Sequence, residues 1–273
     1  MKNKKTLLIT VILIAVVAVG ALYFIQKDVY GSGNSIFGLQ LGKELKNDKI
    51  VATVNGDPVY LSDVAIPYFS MNVSYIEAKK RVEQESNDPN TPSSVKESLK
   101  NFLVKPRTPR ETLNSTIDLV LLYQQFKKEG KSIPEAKIEE EINKLNDLEE
   151  YNLTHYPNSE WCRYHRALMD ALGIKNNEKL LQQFYKRLQI LQDVYNGYMK
   201  DVVSPVPTEE EIKNEMAEYN VPRGTAIRNL KVKYASKVIK EKIEELRKTA
   251  NIKIIDANTI DNLANYFRDI KNN

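Results

Sequence analysis

Two β-prone segments stand at opposite ends of a sequence that otherwise reads as helix, and that separation constrains the fold more than any other feature. The first, Ile50-Val51-Ala52-Thr53-Val54, is mostly apolar and leads into Asn55-Gly56, the dipeptide of a two-residue hairpin, with a short return strand around Val59-Tyr60. The second is Ile252-Lys253-Ile254-Ile255, near the other end. A two-stranded hairpin is marginal on its own, and a lone strand leaves its backbone groups unpaired. Pairing the two ends solves both problems. The sequence therefore predicts a mainly α body closed by a small β element in which the strand around Val51 to Val54 bonds the C-terminal strand.

Between those segments the apolar period is 3.6. Ser62 is placed to cap a helix with the face Ala65, Tyr68, Phe69, Val73 and Ile76. After a turn-rich loop, Ser94 and Glu97 form a capping box for a short helix. Thr108, Pro109 and Glu111 then open the best-marked helix, with Leu113, Ile117, Val120 and Leu121 inward and Gly130 at its C-terminal cap. Pro134-Glu135 starts another, with Ile138, Ile142 and Leu145 inward and its acids outward, and Trp161 to Leu172 reads as one more. From Glu178, Leu181, Phe184, Leu188, Leu191, Tyr195, Tyr198 and Val202 recur in steps of three and four, the seam of a helix packed on helices. Pro205 and Pro207 end it, and Thr208 with Glu211 caps the next. A turn at Val221 to Gly224 leads to a long helix from Ile227 to Thr249, with Leu230, Tyr234, Val238, Ile239, Ile243 and Leu246 on its apolar side. A helix around Thr259 to Ile270 ends the sequence.

The N-terminus bears on compartment. Lys2, Lys4 and Lys5 precede an apolar run from Thr6 to Ile25, long enough as a helix to span a ~30 Å hydrocarbon core. Positive charge on that flank favours a cytoplasmic N-terminus and an exported remainder. Ala18-Val19-Gly20 also permits cleavage as a signal peptide, but the run continues through Tyr23-Phe24-Ile25, so an uncleaved anchor is the preferred expectation. The only cysteine is Cys162, which excludes a lipid-modified anchor and a disulfide scaffold. Residues 1–26 are thus expected to be a transmembrane anchor, 27–48 a flexible tether rich in glycine, and 49–273 one folded domain. Net charge is +4, with the two signs interspersed, which argues against a nucleic-acid partner.

Taken in order, these segments resemble the SurA N-terminal domain of extracytoplasmic folding factors, including the PrsA foldases. Val51-Ala52-Thr53-Val54-Asn55-Gly56 resembles the family's opening, Leu113 to Gly130 its central helix, and Ile133 to Ile142 the acidic helix that follows. Leu172-Gly173-Ile174 and Val206 to Ile212 resemble the hand-over to a prolyl-isomerase domain, and Glu245 to Ile254 the closing helix and strand. The resemblance covers about residues 49–256 and implies a SurA-like helical chaperone body. It departs from the family at Asn220, where a parvulin domain of about ninety residues is expected and only a short connection to Ile227 exists. Its two histidines, His155 and His165, lie upstream, so the resemblance implies a folding factor without isomerase activity.

Candidate chemistry is sparse. Cys162 and His165 share a helix face and His155 is near in sequence, yet three ligands without a second cysteine fit a packed helix better than a metal centre. The acidic triplets Glu139-Glu140-Glu141 and Glu209-Glu210-Glu211 complement helix N-termini. No Gly-rich phosphate loop or nucleophile elbow occurs. No catalytic residue, metal or cofactor is therefore expected. The aromatic and methionine residues Tyr68, Phe69, Met71 and Tyr75 on the first helix, with Tyr185, Tyr195, Tyr198 and Met199 on the seam helix, are too many to all face inward. Those left over are expected to line a groove that holds unfolded or newly exported polypeptides without ATP, because flat aromatics and methionine bury area without fixed partners. An adaptor that docks one envelope or membrane partner, and a residual isomerase, are the alternative expectations.

Overall fold

A computed structural model describes residues 45–93, 96, 106–157, 159, 162, 165 and 179–271. The apolar segment Thr6 to Ile25, most of the tether, the Ser94–Glu97 box and nearly all of the helix expected from Trp161 to Leu172 lie outside the described residues. Those residues form three strands and seven helices: β1 (Ile50–Val54), β2 (Asp57–Tyr60), α1 (Leu61–Asn87), α2 (Pro109–Lys128), α3 (Glu135–His155), α4 (Lys179–Asp201), α5 (Glu209–Tyr219), α6 (Arg223–Thr249), β3 (Ile252–Ile254) and α7 (Ala257–Lys271). The fold is mainly helical with one small antiparallel sheet of order β2-β1-β3.

The sheet closes the two ends of the body as expected. Asn55 and Gly56 both adopt positive φ, at 52° and 92°, which matches the right-handed twist of a two-residue hairpin. Ala52, Thr53 and Val54 pair with Ile254, Lys253 and Ile252. The Asn55 side chain extends the seam, its Oδ1 accepting the Asn251 N–H at 2.8 Å. The tether is shorter than the sequence suggested. Leu45 is fully buried in the main core and Asp48 bonds Ser62, so residues 45–48 belong to the folded body.

Helix α1 begins at Leu61, and its cap is not Ser62. Asp63 Oδ2 accepts the Tyr60 N–H at 3.0 Å, while the Ser62 hydroxyl donates to Asp48 Oδ2 at 2.7 Å. Pro67 lies inside this helix. Having no N–H, it leaves the Asp63 carbonyl without its helical donor. Thr116 of α2 supplies a replacement, its hydroxyl donating to Asp63 O at 3.1 Å. The main core then packs Phe69, Leu61 and Val64 of α1 against Leu113, Ile117 and Leu121 of α2, with Ile260 and Leu263 of α7 also buried there.

Helix α2 is the element on which β1, α1, α4, α6 and α7 all pack. The Thr108–Glu111 box forms at its start, and Gly130, at φ 70°, follows its end. Arg110 holds α7 through both oxygens of Asp261 at 2.6 Å, and Arg247 Nε of α6 bonds Asp118 at 2.5 Å. A second small core of Leu122, Val194, Tyr198 and Ile239 joins α2, α4 and α6.

The join at Asn220 is tighter than the sequence suggested. Asn220 takes the left-handed conformation at φ 49° and closes α5, and Pro222 is already the N-cap of α6. The expected turn through Gly224 is therefore the first turn of α6. The Thr225 and Ala226 N–H groups both bond Pro222 O, and Ala226 is buried with Ile212 and Leu230 between α5 and α6. On the same helix Val238 is 45 % exposed and not inward, because Ala235 and Ile239 point at the body.

Candidate functional site

Two open depressions lie on either flank of α6, and Ile239 contributes to the wall of both. The first, about 630 Å³, runs between α6 and the α2–α4 pair, with Tyr195, Ile239 and Ile243 as its apolar lining. Arg107, Lys240 and Arg247 stand among its polar groups, with Asp118 and Glu244. The second, about 370 Å³, lies where α4 ends, lined by Tyr198, Val202, Val203 and Val238.

The second depression owes its shape to a charged clamp at the end of α2. Lys131 and Lys242 lie over the Tyr198 ring at 5.2 and 4.4 Å from its centroid. Both bond Glu129, at 3.2 and 2.9 Å. The Lys242 bond, then that from Gln125, hold the Glu129 carboxyl down to about 2, so it stays ionised across the usual pH range. Burial and the neighbouring Glu129 raise the Tyr198 phenol above its ordinary range. Beside the clamp the chain leaves α4 through Val202-Val203-Ser204-Pro205-Val206-Pro207. The prolines deny this segment a helical ladder. Val203 and Val206, at 95 % and 88 % exposure, are the most exposed large apolar side chains among the described residues.

The residues expected to line a groove divide into three groups. Tyr195, Tyr198 and Met199 meet around Ile239, in and beneath the two depressions. Tyr68 and Phe69 are buried in the main core, a correction that follows from α1 turning its aromatic stripe onto α2 and the sheet. Met71 and Tyr75 are half-buried on α1, outside both depressions, and Tyr185 spends its hydroxyl on Glu149 at 2.5 Å. The valines of the α4–α5 connection and Arg107 were not anticipated. The signal for the valines was present, since three apolar residues interleaved with two prolines cannot share a helix face.

Two buried polar clusters lie elsewhere. Arg187 of α4 donates to Asp63 at 2.9 Å, to Asp48 at 2.7 Å and to the Ser62 hydroxyl at 2.6 Å, tying the chain ahead of β1 to α1 and α4. Burial raises the Asp63 carboxyl while Arg187 opposes the rise. On α3, Glu149 is an acid that points inward, against expectation. Burial pushes it up to about 7, partly offset by the Tyr185 hydroxyl. His165 Nε2 lies 3.6 Å from Glu149 Oε2, and burial pushes that imidazole down to about 4. Cys162 is buried with its thiol on Asn152 O at 3.4 Å, whereas His155 is exposed and stacked on Tyr151. Each member of the His155–Cys162–His165 set thus has its own local partner. Among the described residues no three His, Cys, Asp or Glu side chains gather as a metal site.

The chain matches no protein-family model, no curated protein and no solved structure.

Proposed function

We propose that this protein is a membrane-anchored, extracytoplasmic chaperone that reversibly holds unfolded or newly exported polypeptides, without ATP, cofactor or isomerase activity. The observation that carries the reading is the pair of open depressions around Ile239, each with an apolar strip set among charged groups, together with the exposed Val203 and Val206 of the α4–α5 connection. Apolar groups held in the open on a rigid scaffold stabilise whatever apolar chain covers them. Their separation into several small surfaces suits a ligand of variable sequence better than one of fixed shape. The apolar run Thr6 to Ile25 supports an anchored position, and the resemblance to the SurA N-terminal domain supports the client class.

The test uses the full chain in lipid nanodiscs and a chemically unfolded protein diluted into buffer, with light scattering as the readout. The wild type is expected to delay aggregation, and the double variant Val203→Asp/Val238→Asp to delay it much less. Both sites are exposed, so the substitutions leave the core intact. Failure of the wild type to delay aggregation refutes the proposal. So does capture of a single stoichiometric folded partner in place of heterogeneous clients.

A further inference from the structure

Helix α6 carries Arg223, Arg228, Lys231, Lys233, Lys237 and Lys240 with no acidic residue between Arg223 and Lys240. Two of these are answered from α5, Arg223 by Glu209 and Lys233 by Glu215. The flank that runs into the larger depression is different. Arg228, Val232, Ser236 and Lys240 follow one another at every fourth position, which places them in one row, and Ile243 and Arg247 continue it. Arg228 and Lys240 are exposed, and Val232 is 42 % exposed. Across the depression Arg107, also exposed, has the Ser115 hydroxyl as its partner at 3.0 Å. Only one cation of the row is closely neutralised, Arg247 by Asp118 at 2.5 Å, while Lys240 meets Glu244 only at 3.9 Å.

The row thus intersperses cations with the apolar Val232 and Ile243, and from Ser236 onward it forms one wall of the depression. It measures about 28 Å from Arg228 to Arg247 at ~1.5 Å per residue, the span of about eight or nine residues of extended chain. We infer that this flank of α6 and the depression below it form a polypeptide-binding track selective for extended apolar segments flanked by acidic residues. Val232, Ile239, Ile243 and Tyr195 take the apolar side chains. Arg228 and Lys240, with Arg107 across the depression, meet carboxylates on the flanks. Charge complementarity at such a rim sets partner choice more than raw affinity. A flat anionic bilayer is the weaker fit, because Tyr195, Ile239 and Ile243 lie in a concavity that a planar surface does not enter.

This inference rests on the holding reading and specifies its client. The test measures fluorescence anisotropy of two labelled peptides, each about nine residues long to match the track, with the same Leu/Phe centre and either glutamate or lysine ends. The protein is the full chain in zwitterionic nanodiscs. The wild type is expected to bind the acidic-ended peptide about five- to tenfold more tightly, as two or three exposed charge pairs allow. The preference should shrink as salt rises from about 0.05 to about 0.5 M. Charge reversal in R228E/K240E should invert or erase it while leaving the unfolding transition in place.

Equal binding of the two peptides, or a preference untouched by R228E/K240E, overturns the inference and leaves the holding reading standing if aggregation is still delayed. If the same variant instead loses co-sedimentation with phosphatidylglycerol vesicles and keeps its peptide preference, the row is a membrane contact and the inference is overturned. If neither peptide binds and aggregation is not delayed, both fall together.

Discussion

Replacing Glu149 by glutamine should stabilise this protein, and by an amount that grows with pH. The carboxyl is buried between α3, α4 and His165, and its folded value is raised from 4.5 to about 7. An acid raised in this way holds its proton in the folded state after the unfolded state has lost it. Its contribution is complete below about pH 4.5 and is lost as pH rises toward about 7. Above that the fold carries a buried carboxylate at a cost of about 3 kcal/mol, since each tenfold change in proton affinity is worth about 1.4 kcal/mol. Glutamine has nearly the same shape and still accepts the Tyr185 hydroxyl, yet has no proton to lose. Glu149→Gln should therefore gain about 1 kcal/mol at pH 5 and about 3 kcal/mol at pH 8. For a body of this size that is a rise in Tm of about 2–4 °C at pH 5 and about 6–12 °C at pH 8. Thermal unfolding followed by circular dichroism at the two pH values decides it. An equal shift at both, or a lower Tm at pH 8, would show that Glu149 is not a desolvated acid in the folded protein.

Three further outcomes follow from the same structure. Thr116→Val removes the donor that replaces the Pro67 N–H, leaves Asp63 O buried without it, and should cost about 1–3 kcal/mol in urea unfolding, whereas Thr116→Ser should cost far less. Asn220→Gly should be near neutral and Asn220→Val should cost about 1–2 kcal/mol, because φ 49° suits Gly and Asn and not a β-branched residue. Arg187→Met keeps the side-chain stem but strands Asp48 and Asp63 together, so it should cost about 3 kcal/mol near neutral pH. That cost should diminish as acid protonates Asp63, whose carboxyl burial raises, and a loss independent of pH would refute the electrostatic account.

Much of the architecture was legible because local signals agreed with one another. Thr108-Pro109-Arg110-Glu111 and Thr208 with Glu211 formed the caps they spell, and Asn55-Gly56 formed its hairpin. The pairing of β1 with β3 was legible for another reason: strands too weak to stand alone had to find each other. What escaped the sequence was set by long-range contacts. Ser62 looks like a cap until Asp48, from the segment ahead of β1, and Arg187, far along the chain, occupy its hydroxyl. Glu149 sits among acids that face water, and only the packing of α4 and His165 over it shows that it is buried. For the candidate site, periodicity could say that α1 and α4 carry more aromatics than one core needs. It could not say which helix would lose its surplus to the core, since that depends on where α2 and α6 come to rest. The cations of α6 were visible only as part of a mixed charge pattern, because their sorting onto one flank requires knowing where α5 packs.

The sheet bears directly on the site through α6. Only Ala250 and Asn251 separate the end of that helix from β3, and Asn251 is bonded on both its N–H and its carbonyl to Asn55. The register of β3 on β1 therefore fixes where α6 leaves the sheet, and the Arg247–Asp118 bond fixes its angle against α2 one turn earlier. Ile243 and Arg247, which line the larger depression, lie within the last two turns before that seam. At its other end α6 is held by α5 through the three-residue join at Asn220, Val221 and Pro222. An insertion at that join would interrupt the α5–α6 packing but would not touch the seam. The body is thus closed independently of anything placed at Asn220, and the Lys240–Arg247 end of the track is anchored by residues that the join does not contain.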